Sequence, residues 1–470
     1  MSAFIVGPIY SRKGNRLTSR EKNNVADPRA HSPSLSWPQA LAVAVGNGLE
    51  FYDFVTYAFF ATQIGHTFFP SRTPGLSLLS SLATFGVGFL TRPLGALVIG
   101  RFGDRAGRKP AMMLSLGLIG VAVTGLSLTP SYASIGGLAP ALVIVFRLLQ
   151  GFALGGEVGP STAFLLEAAP PGRRGLYVSL QATSADSAAL VAGVVGMALA
   201  STLDSAQLDA WGWRVAQLLG VCIIPFAFVL RRALNETLHD ELAAHTAVDH
   251  QAVSAQGYAR VVVLGLVMLS AATTNNYVLE YMTTYASNTL GMSAAASFGA
   301  TAMIGASGLV CDTLGGWLSD RFGRKPVMII PWLLLIVAIY PSFWVLEQLR
   351  TRTALWTVSA LLNGIQTLSS ATIIVAITES LPKRVRSRAV ALIYAVAISV
   401  FGGSAQFLLA WSIHVTGNPL APAWYMLAAV TIGLIAMFRL PETAPARRQK
   451  KGPPDGGPGS TGRVVSVVAV

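Results

Sequence analysis

The chain has 470 residues, of which 53% are apolar and only 12% charged, about half the charge of a soluble globular protein. The apolar residues occur in runs of roughly 20, the length that crosses a bilayer core of about 30 Å. This composition excludes a soluble globular enzyme and predicts an all-α polytopic membrane protein. The net charge of +13 indicates either nucleic-acid binding or basic residues gathered on one side of a membrane.

Twelve spans are predicted, in chain order, near residues 40–62, 76–100, 111–130, 138–162, 177–201, 214–231, 260–287, 296–318, 327–346, 354–380, 388–415 and 421–440. The polar stretch between the sixth and seventh spans has no apolar period, and both ends of the chain are basic. The predicted organisation is a flexible basic cytoplasmic tail (1–37), an N-terminal six-helix bundle (38–231), a cytoplasmic linker (232–259), a C-terminal six-helix bundle (260–441) and a disordered Pro/Gly-rich tail (442–470).

One motif occurs twice, at the ends of the second and eighth spans. GRFGDRAGRKP begins at Gly100 and GWLSDRFGRKP begins at Gly316. A repeat at half the chain length in a hydrophobic protein indicates two pseudo-symmetric bundles. Acidic and basic groups follow the fourth and tenth spans in the same way. The matching acids and bases there are Glu167 with Arg173 and Glu379 with Arg384.

These loops are predicted to act as a gate. Their glycines allow tight turns and close helix approach, and a carboxylate near a helix N-terminus pairs with nearby arginines. Such a cluster stabilises one conformation through its ion pairs, and these pairs are broken in the other conformation. The alternative is a plain basic loop that only sets topology. The predicted gating residues are Gly100, Asp104, Arg105, Gly107, Arg108, Asp320, Arg321, Gly323, Arg324, Glu167, Arg173, Glu379 and Arg384.

The basic residues predict the orientation in the membrane. Of the 34 Lys and Arg residues, 28 fall in the tails or in connections on the side of the repeated loops. Since basic residues favour the cytoplasmic side, both termini are predicted to be cytoplasmic, and the charge reflects topology rather than nucleic-acid binding. We expect a monomeric multi-pass protein in the lipid bilayer of a bacterial cytoplasmic membrane. The exceptions are Arg72, Arg214, Arg350 and Arg352 on the other side, and Arg92 and Arg147 within spans.

The first span carries two acids in the segment GNGLEFYDF. Glu50 and Asp53 share one helical face with Asn47 and Tyr57. A carboxylate at membrane depth costs several kcal/mol unless it is paired, hydrated or protonated. Such an acid is suited to binding and releasing a proton, so both are predicted proton-coupling residues. The alternative is that one of them only hydrogen-bonds a neighbouring helix.

The fourth span carries a mid-membrane arginine in RLLQGFALGGEVG. Arg147, Gln150 and Glu157 share one face, and a buried arginine attracts an anion. Glu157 joins the predicted proton-coupling acids. The alternative is a pair between Arg147 and a carboxylate that holds spans one and four together. The predicted substrate-binding residues are Arg147, Asn47, Gln150, Tyr57, Arg92 and Tyr281. Glycines at 151, 155 and 159 are expected to permit close helix packing. Asp186, Glu280 and Asp312 are interpreted as helix-packing groups, with a binding role as the alternative.

The remaining patterns argue against an enzyme. Cys222, Cys311 and the six histidines match no metal or redox spacing, so no metal and no cofactor other than a coupling proton is expected. No nucleophile or phosphate-binding constellation is visible near the membrane surface. The short tails make a non-transporting membrane sensor a weak alternative.

The repeated GxxxDRxGRK loop resembles the signature of the major facilitator superfamily. GNGLEFYDF, RPLGALVIGRFGDRAGRK and RLLQGFALGGE resemble its metabolite:proton symporter branch, over roughly residues 40–440. Members carry organic acids such as citrate, 2-oxoglutarate and shikimate, or zwitterions such as proline and betaine. The segment Trp211–Thr237 is most similar to citrate/tricarballylate transporters, although Ala216 and Gln217 replace the usual Pro-Phe. The resemblance implies alternating access and proton-coupled symport of a small organic acid acting as substrate; the alternatives are shikimate or a zwitterionic osmolyte.

Overall fold

The computed structural model describes residues 47–48, 51–73, 75–106, 108–155, 165–166, 169–170, 172–232, 255–381 and 386–443. Within these ranges the regular structure is helical and contains no strand. The predicted tails and most of the linker lie outside the described residues. So do Glu50, Gly107, Glu157, Glu167 and Arg384, together with the side chains of Asp104 and Arg108.

The described chain contains one long helix, or a pair of helical segments, for each predicted span, which confirms the all-helical fold. They are α1 (51–59 and Ala61–Phe68), α2 (Leu76–Leu90 and Arg92–Ala106), α3 (Arg108–Leu128), α4 (Leu138–Leu154), α5 (Arg174–Thr202), α6 (Trp213–Arg232), α7 (Ala255–Glu280 and Met282–Asn288), α8 (Ala294–Phe322), α9 (Arg324–Leu349), α10 (Arg352–Ser380), α11 (Arg386–Ala397 and Gly403–Thr416, joined by the π-helical turn Ile398–Gly402) and α12 (Ala421–Arg439). We call α1–α6 the N-terminal bundle and α7–α12 the C-terminal bundle.

Length and composition support membrane crossing. Eight helices of the described ranges are long and apolar enough to span a bilayer, and two shorter apolar helices, Met113–Leu128 and Leu138–Leu154, accompany them. Side-chain caps begin several of the helices where the sequence offers a hydroxyl. Ser293 Oγ accepts from the Ala296 amide at 3.4 Å, and Thr351 Oγ1 accepts from the Ala354 amide at 3.2 Å.

Helix α2 is interrupted at Thr91 because Pro93 has no amide hydrogen and cannot continue the hydrogen-bond ladder. Thr91 Oγ1 donates to the Leu148 carbonyl of α4 at 2.6 Å. The Phe89 carbonyl, which Pro93 cannot bond, accepts from Ser399 Oγ of the π-helical turn in α11 at 3.0 Å. The interruption therefore ties α2 to one helix of each bundle.

Glycines bring α2 and α4 into backbone contact. A Cβ added at Gly151 would lie 1.5 Å from the Gly88 carbonyl oxygen, and one at Gly155 would lie 2.0 Å from the Arg92 carbonyl oxygen. On the α2 side, a Cβ at Gly95 would lie 1.8 Å from the Phe152 carbonyl oxygen. The close packing predicted for the glycines of span four is confirmed at these positions. This crossing sets the distance between the helices that carry Arg92 and Arg147.

The glycine expectation is wrong for Gly100. It lies inside the second segment of α2, and an added Cβ would meet no atom of the described residues within 4 Å, so no close approach among them requires glycine there. Its counterpart in the second repeat behaves as predicted. A Cβ at Gly316 would lie 2.6 Å from the Gly175 carbonyl oxygen of α5. The repeat therefore differs in packing between its two copies.

The two bundles meet chiefly along α5 and α8. In the middle of this contact, a Cβ at Gly193 would lie 2.4 Å from the Ala302 amide nitrogen, and one turn away a Cβ at Gly305 would lie 2.2 Å from the Leu190 amide nitrogen. Helices α2 and α11 form a second contact, where a Cβ at Gly86 would lie 2.4 Å from the Gly403 carbonyl oxygen. Small residues thus let the bundles approach through their backbones.

Contacts between the bundles occur at both ends of the molecule. At the end opposite the repeated loops, Asn288 Nδ2 donates to Thr62 Oγ1 at 2.9 Å, and the rings of Phe60 and Phe298 lie 4.6 Å apart. At the repeated-loop end, the Asp320 carboxylate accepts hydrogen bonds from the first amides of α5. The space between the bundles is therefore bounded by contacts on both sides.

Candidate functional site

Arg147 lies at the centre of a buried aromatic cluster in the N-terminal bundle. Its residue exposure is 1%. The guanidinium carbon lies 4.3 Å from the ring centroid of Tyr57 and 5.0 Å from those of Phe54 and Phe85. Ring faces carry negative charge density and attract a cation. The rings stabilise the desolvated charge without neutralising it.

Gln150 connects Arg147 to the acid of α1. Its Oε1 accepts from Arg147 Nη1, and its Nε2 donates to Asp53 Oδ2. Arg147 Nη2 also donates to the Phe85 carbonyl at 3.4 Å. Spans one and four are therefore held together as the alternative interpretation of Arg147 predicted, but through the Gln150 amide rather than through a direct ion pair. Asp53 Oδ1 and Arg147 Nε have no hydrogen-bond partner among the described residues, so both groups keep capacity for a ligand.

Arg92 contacts the same ring. Its guanidinium carbon is 4.6 Å from the Phe54 centroid and 4.4 Å from that of Phe89, and the residue is 7% exposed. Its Nε has no hydrogen-bond partner in the described part of the chain. Phe54 is therefore in contact with two buried guanidinium groups, and among the described residues Arg147 is the one linked through hydrogen bonds to a carboxylate, Asp53.

The C-terminal bundle closes the cluster through α7. The Tyr277 ring lies 6.2 Å from Phe85 and 5.7 Å from Phe89. One turn further on, Glu280 accepts from Asn276 Nδ2 at 2.8 Å and interacts electrostatically with Arg92. The site thus lies between the two bundles. Sequence reasoning missed Tyr277; a signal was present, since Tyr277 and Glu280 lie one turn apart on a polar face.

Two predicted binding residues are not part of this cluster. Asn47 donates to the Gln181 carbonyl at 3.1 Å and to Ser184 Oγ at 2.9 Å, so it joins α1 to α5. Tyr281 lies at the interruption between the two segments of α7 and packs in the core of the C-terminal bundle. Both residues therefore contribute to helix packing here, and their predicted substrate-binding role stays a prediction.

Three predicted gating residues form a network at the repeated-loop end. Asp320 Oδ1 and Oδ2 accept from the amides of Gly175 and Leu176, at 2.8 and 3.0 Å. These are the first amides of α5, and a helix N-terminus favours a negative charge. Arg324 Nη1 lies 2.9 Å from Asp320 Oδ1. The C-terminal bundle therefore caps a helix of the N-terminal bundle with a paired carboxylate.

The same arginine holds Glu379 of α10. Arg324 Nε and Nη2 each lie 3.2 Å from a Glu379 carboxylate oxygen, a two-pronged contact with defined geometry. Glu379 also lies 3.7 Å from Arg174 Nη1 of α5 and accepts from Thr443 Oγ1 at 3.0 Å. We call Asp320, Arg324 and Glu379, with the start of α5, the Asp320 latch.

The other predicted gating residues of the described chain lie outside the latch. Gly323 has φ = +97° between α8 and α9, a conformation that requires glycine. Arg321 is exposed and rests against the rings of Trp317 and Phe322. Arg105 and Arg173 are exposed as well, and the neighbour of Arg173, Arg174, contacts Glu379 instead. In this structure Arg321 therefore contacts aromatic rings, and its gating role stays a prediction.

The opposite end carries a histidine–aspartate pair beyond the predicted spans. His66 Nδ1 lies 2.9 Å from Asp209 Oδ2, and this hydrogen bond raises the pKa of the imidazole. A cleft of about 520 Å³ beside the pair is lined by Ser131, Tyr132 and Arg214, among other residues. Across the described residues, no group of three or more His, Cys, Asp and Glu side chains is placed to hold a metal ion.

Comparison with known proteins identifies the family. Residues 39–239 match the model of Sugar (and other) transporters, and residues 309–467 match that of the Major Facilitator Superfamily. The chain is 37% identical to the Citrate-proton symporter of Klebsiella pneumoniae, over 84% of this chain and 90% of that protein. It is 34% identical to the Alpha-ketoglutarate permease of Escherichia coli (strain K12), over 84% and 91% respectively.

A solved structure shows the same fold. The crystal structure of a D-xylose-proton symporter superimposes with a TM-score of 0.70 and 19% identity, over 86% of this chain and 98% of that chain. At this identity the likeness concerns the arrangement of helices in two bundles. The chain is therefore a transporter of the major facilitator superfamily and belongs to its metabolite:proton symporter branch.

Proposed function

We propose that this transporter carries a small di- or tricarboxylate, such as citrate or tricarballylate, together with protons. The observation that carries the proposal is the pair of buried guanidinium groups, Arg147 and Arg92, that both contact Phe54. Among the described residues, Asp53 is the one carboxylate hydrogen-bonded into this part of the cluster, and Glu280 acts on Arg92 electrostatically. A buried charge without a partner is costly, so an anionic substrate supplies the missing negative charge. Relatives that transport citrate and α-ketoglutarate support this substrate class.

The coupling follows from competition for the same groups. Arg147 is linked to Asp53 through Gln150, and a substrate carboxylate that binds Arg147 takes the place of that link. Asp53, left without its cationic partner in a low-dielectric site, binds a proton because an unpaired buried carboxylate is unfavourable. Glu50 and Glu157 are proposed as further coupling acids. The proton is the coupling ion, and no other cofactor is proposed.

Transport proceeds by rocking of the bundles around this site. The Asp320 latch holds one end closed, and its opening admits or releases the substrate. The basic residues on the side of the repeated loops support an orientation with both termini and the latch in the cytoplasm. We place the transporter in a bacterial cytoplasmic membrane as a monomer.

Proteoliposome uptake tests the proposal. We expect an inward proton gradient to drive accumulation of labelled citrate, a protonophore to abolish it, and Arg147→Ala to reduce it at least about tenfold through loss of the anion-binding charge. Arg72→Ala, which removes an exposed arginine from the loop between α1 and α2, is the matched control. Citrate uptake that ignores the protonophore, or that survives Arg147→Ala at the control rate, contradicts the assignment.

A zwitterionic osmolyte such as betaine is the second candidate. The rings of Tyr57, Phe54 and Phe85 favour it, since aromatic faces bind quaternary ammonium groups. In the structure these rings face Arg147, which favours the anion. Competition assays separate the two candidates. Excess betaine suppresses uptake of the labelled substrate only if the osmolyte is the substrate, and excess citrate suppresses it only if the organic acid is the substrate.

A further inference from the structure

A second pair of acids lies between the bundles, near the middle of α5 and α8. Asp312 on α8 is 1% exposed. Asp186 on α5 rests directly on the backbone of α8, because a Cβ added at Gly308 would lie 1.5 Å from its Oδ2. Beside the acids, the hydroxyls of Thr183 and Thr313 lie 3.0 Å apart. The two helices therefore meet at this pair.

The two carboxyl groups lie within hydrogen-bond distance of each other. Ionised carboxylates only accept hydrogen bonds, so a bond between two of them requires a proton on one. Two like charges so close in a low-dielectric site also do not both stay ionised. Asp186 Oδ2 and Asp312 Oδ1 have no other hydrogen-bond donor among the described residues. The geometry accommodates one shared proton.

The ionisable groups that act on the pair are acidic rather than basic. Glu280 of α7 acts electrostatically on Asp186, and the Cys311 thiol of α8 acts on both acids. From α10, Gly364 is the residue packed against Cys311. In the described part of the chain, no Lys or Arg is among the groups that act on either carboxyl. Of the acids Asp186, Asp312 and Glu280, Glu280 is the one on which Arg92 acts. The pair has no cation to replace the proton.

We propose that Asp186 and Asp312 form a proton-binding site in which one proton, shared between carboxyl groups of opposite bundles, ties α5 to α8. When this proton passes to water, both groups are carboxylates and repel each other across the contact. Proton occupancy is thereby linked to the bundle contact itself. The site is separate from Arg147 and Asp53 and goes beyond the proposed function, since it operates whichever substrate the transporter carries.

Infrared difference spectroscopy tests the site directly, on the purified full chain without substrate. Raising the pH is expected to remove a C=O stretching band of a protonated carboxylic acid in the wild type. Asp186→Asn and Asp312→Asn are each expected to lack that component. Asp204→Asn is the control, because it removes an exposed acid that caps a short helix within one bundle; its spectrum is expected to keep the component.

Separate measurements of substrate exchange and of proton-driven accumulation provide the second readout. In Asp312→Asn, an amide donates to Asp186 without a proton, so the helices stay joined at every pH. Exchange of labelled citrate between the two sides is expected to persist within about twofold, while proton-driven accumulation falls about tenfold. Wild-type chain that gives the infrared result but transports no citrate refutes the substrate proposal and supports this one.

Two results overturn the site. One is an acid band that remains unchanged in both asparagine variants, and the other is undiminished proton-driven accumulation in folded Asp312→Asn. Asp186→Glu and Asp312→Glu keep an acid at each position. They replace the asparagine variants in the test if those variants do not fold. They are expected to retain the band, and its absence in a folded glutamate variant also counts against a shared proton.

Discussion

Gln150 keeps two opposite charges apart. One side-chain amide accepts from Arg147 with its oxygen and donates to Asp53 with its nitrogen. Neither charge is fully neutralised by this arrangement, and both stay available to a substrate or a proton. A carboxylate at the same position would bind Arg147 directly and leave it less able to attract an anion.

Gln150→Glu is therefore expected to raise the KM for citrate about tenfold or more, since each 1.4 kcal/mol of lost binding is a factor of ten. Initial uptake rates against citrate concentration measure the effect. Gln207→Glu, an exposed glutamine in the capping box before α6, is the control and is expected to keep the wild-type KM. An unchanged KM in Gln150→Glu contradicts the role given to Arg147.

The His66–Asp209 pair predicts a pH-dependent contribution to stability. The bond to Asp209 raises the folded-state pKa of His66 above its unfolded value. The stabilisation is then fully present below about pH 6.5 and is lost as the pH rises through the folded pKa. Because the imidazole is 54% exposed, the effect is small. Wild type is expected to unfold at a higher temperature than His66→Gln at about pH 5.5, and at the same temperature at about pH 8.5. A difference in unfolding temperature that increases with pH contradicts the prediction.

At the scale of elements, the crossing of α2 and α4 determines where the two arginines lie. Backbone meets backbone at Gly151 and Gly155, and this crossing holds both Arg92 and Arg147 in contact with Phe54. The position of the charges is therefore a property of helix packing as much as of the arginines themselves.

Gly151→Ala is expected to separate α2 from α4, because the added methyl would lie 1.5 Å from the Gly88 carbonyl oxygen. We expect a loss of about 1–3 kcal/mol of stability, the usual cost of overpacking, together with weaker citrate uptake. Thermal unfolding and uptake of the purified variant measure both. Gly117→Ala in α3, where an added Cβ meets nothing within 4 Å, is the matched control; equal behaviour of the two variants contradicts the packing argument.

At the scale of the whole molecule, the Asp320 latch is the polar contact that joins the bundles at the repeated-loop end. Hydrogen bonds to charged groups contribute about 1.5–3 kcal/mol each. Asp320→Asn removes the charge that caps α5 and pairs with Arg324. The equilibrium is then expected to shift toward the conformation open at that end.

Cysteine labelling measures this shift. In a chain with Cys222 and Cys311 replaced by serine, Ser179→Cys reports on the space behind the latch, since Ser179 lies next to Gly316. Asp320→Asn is expected to raise the maleimide labelling rate about 5- to 100-fold, the usual range for couplings of 1–3 kcal/mol. Asp204→Asn alters the cap of a short helix within one bundle and is expected to leave the rate unchanged; equal rates in the two variants exclude the latch.

The order and type of the elements were predictable from the sequence, because apolar runs of membrane length dominate it. The face shared by Arg147 and Gln150 followed from helical spacing, and the pairing of Asp320 with a nearby arginine followed from the repeated motif. The contact of Arg324 with Glu379 of α10 did not. What spacing does not specify is the partner across a helix contact. Tyr277 at the cluster and Asp186 beside Asp312 depend on how the bundles dock, and the different packing of Gly100 and Gly316 depends on which helix lies opposite.

The glycine-lined contact between α5 and α8 has a consequence for the speed of transport. Helices that touch through their backbones, as at Gly193 and Gly305, tilt against each other without any side chain having to change rotamer. Interlocked side chains would add a barrier to every tilt. Side chains in the middle of the contact are therefore expected to add little to the energy barrier against tilting. The height of the barrier to each turnover is then set by the few polar and aromatic contacts at the two ends and by the acids between them.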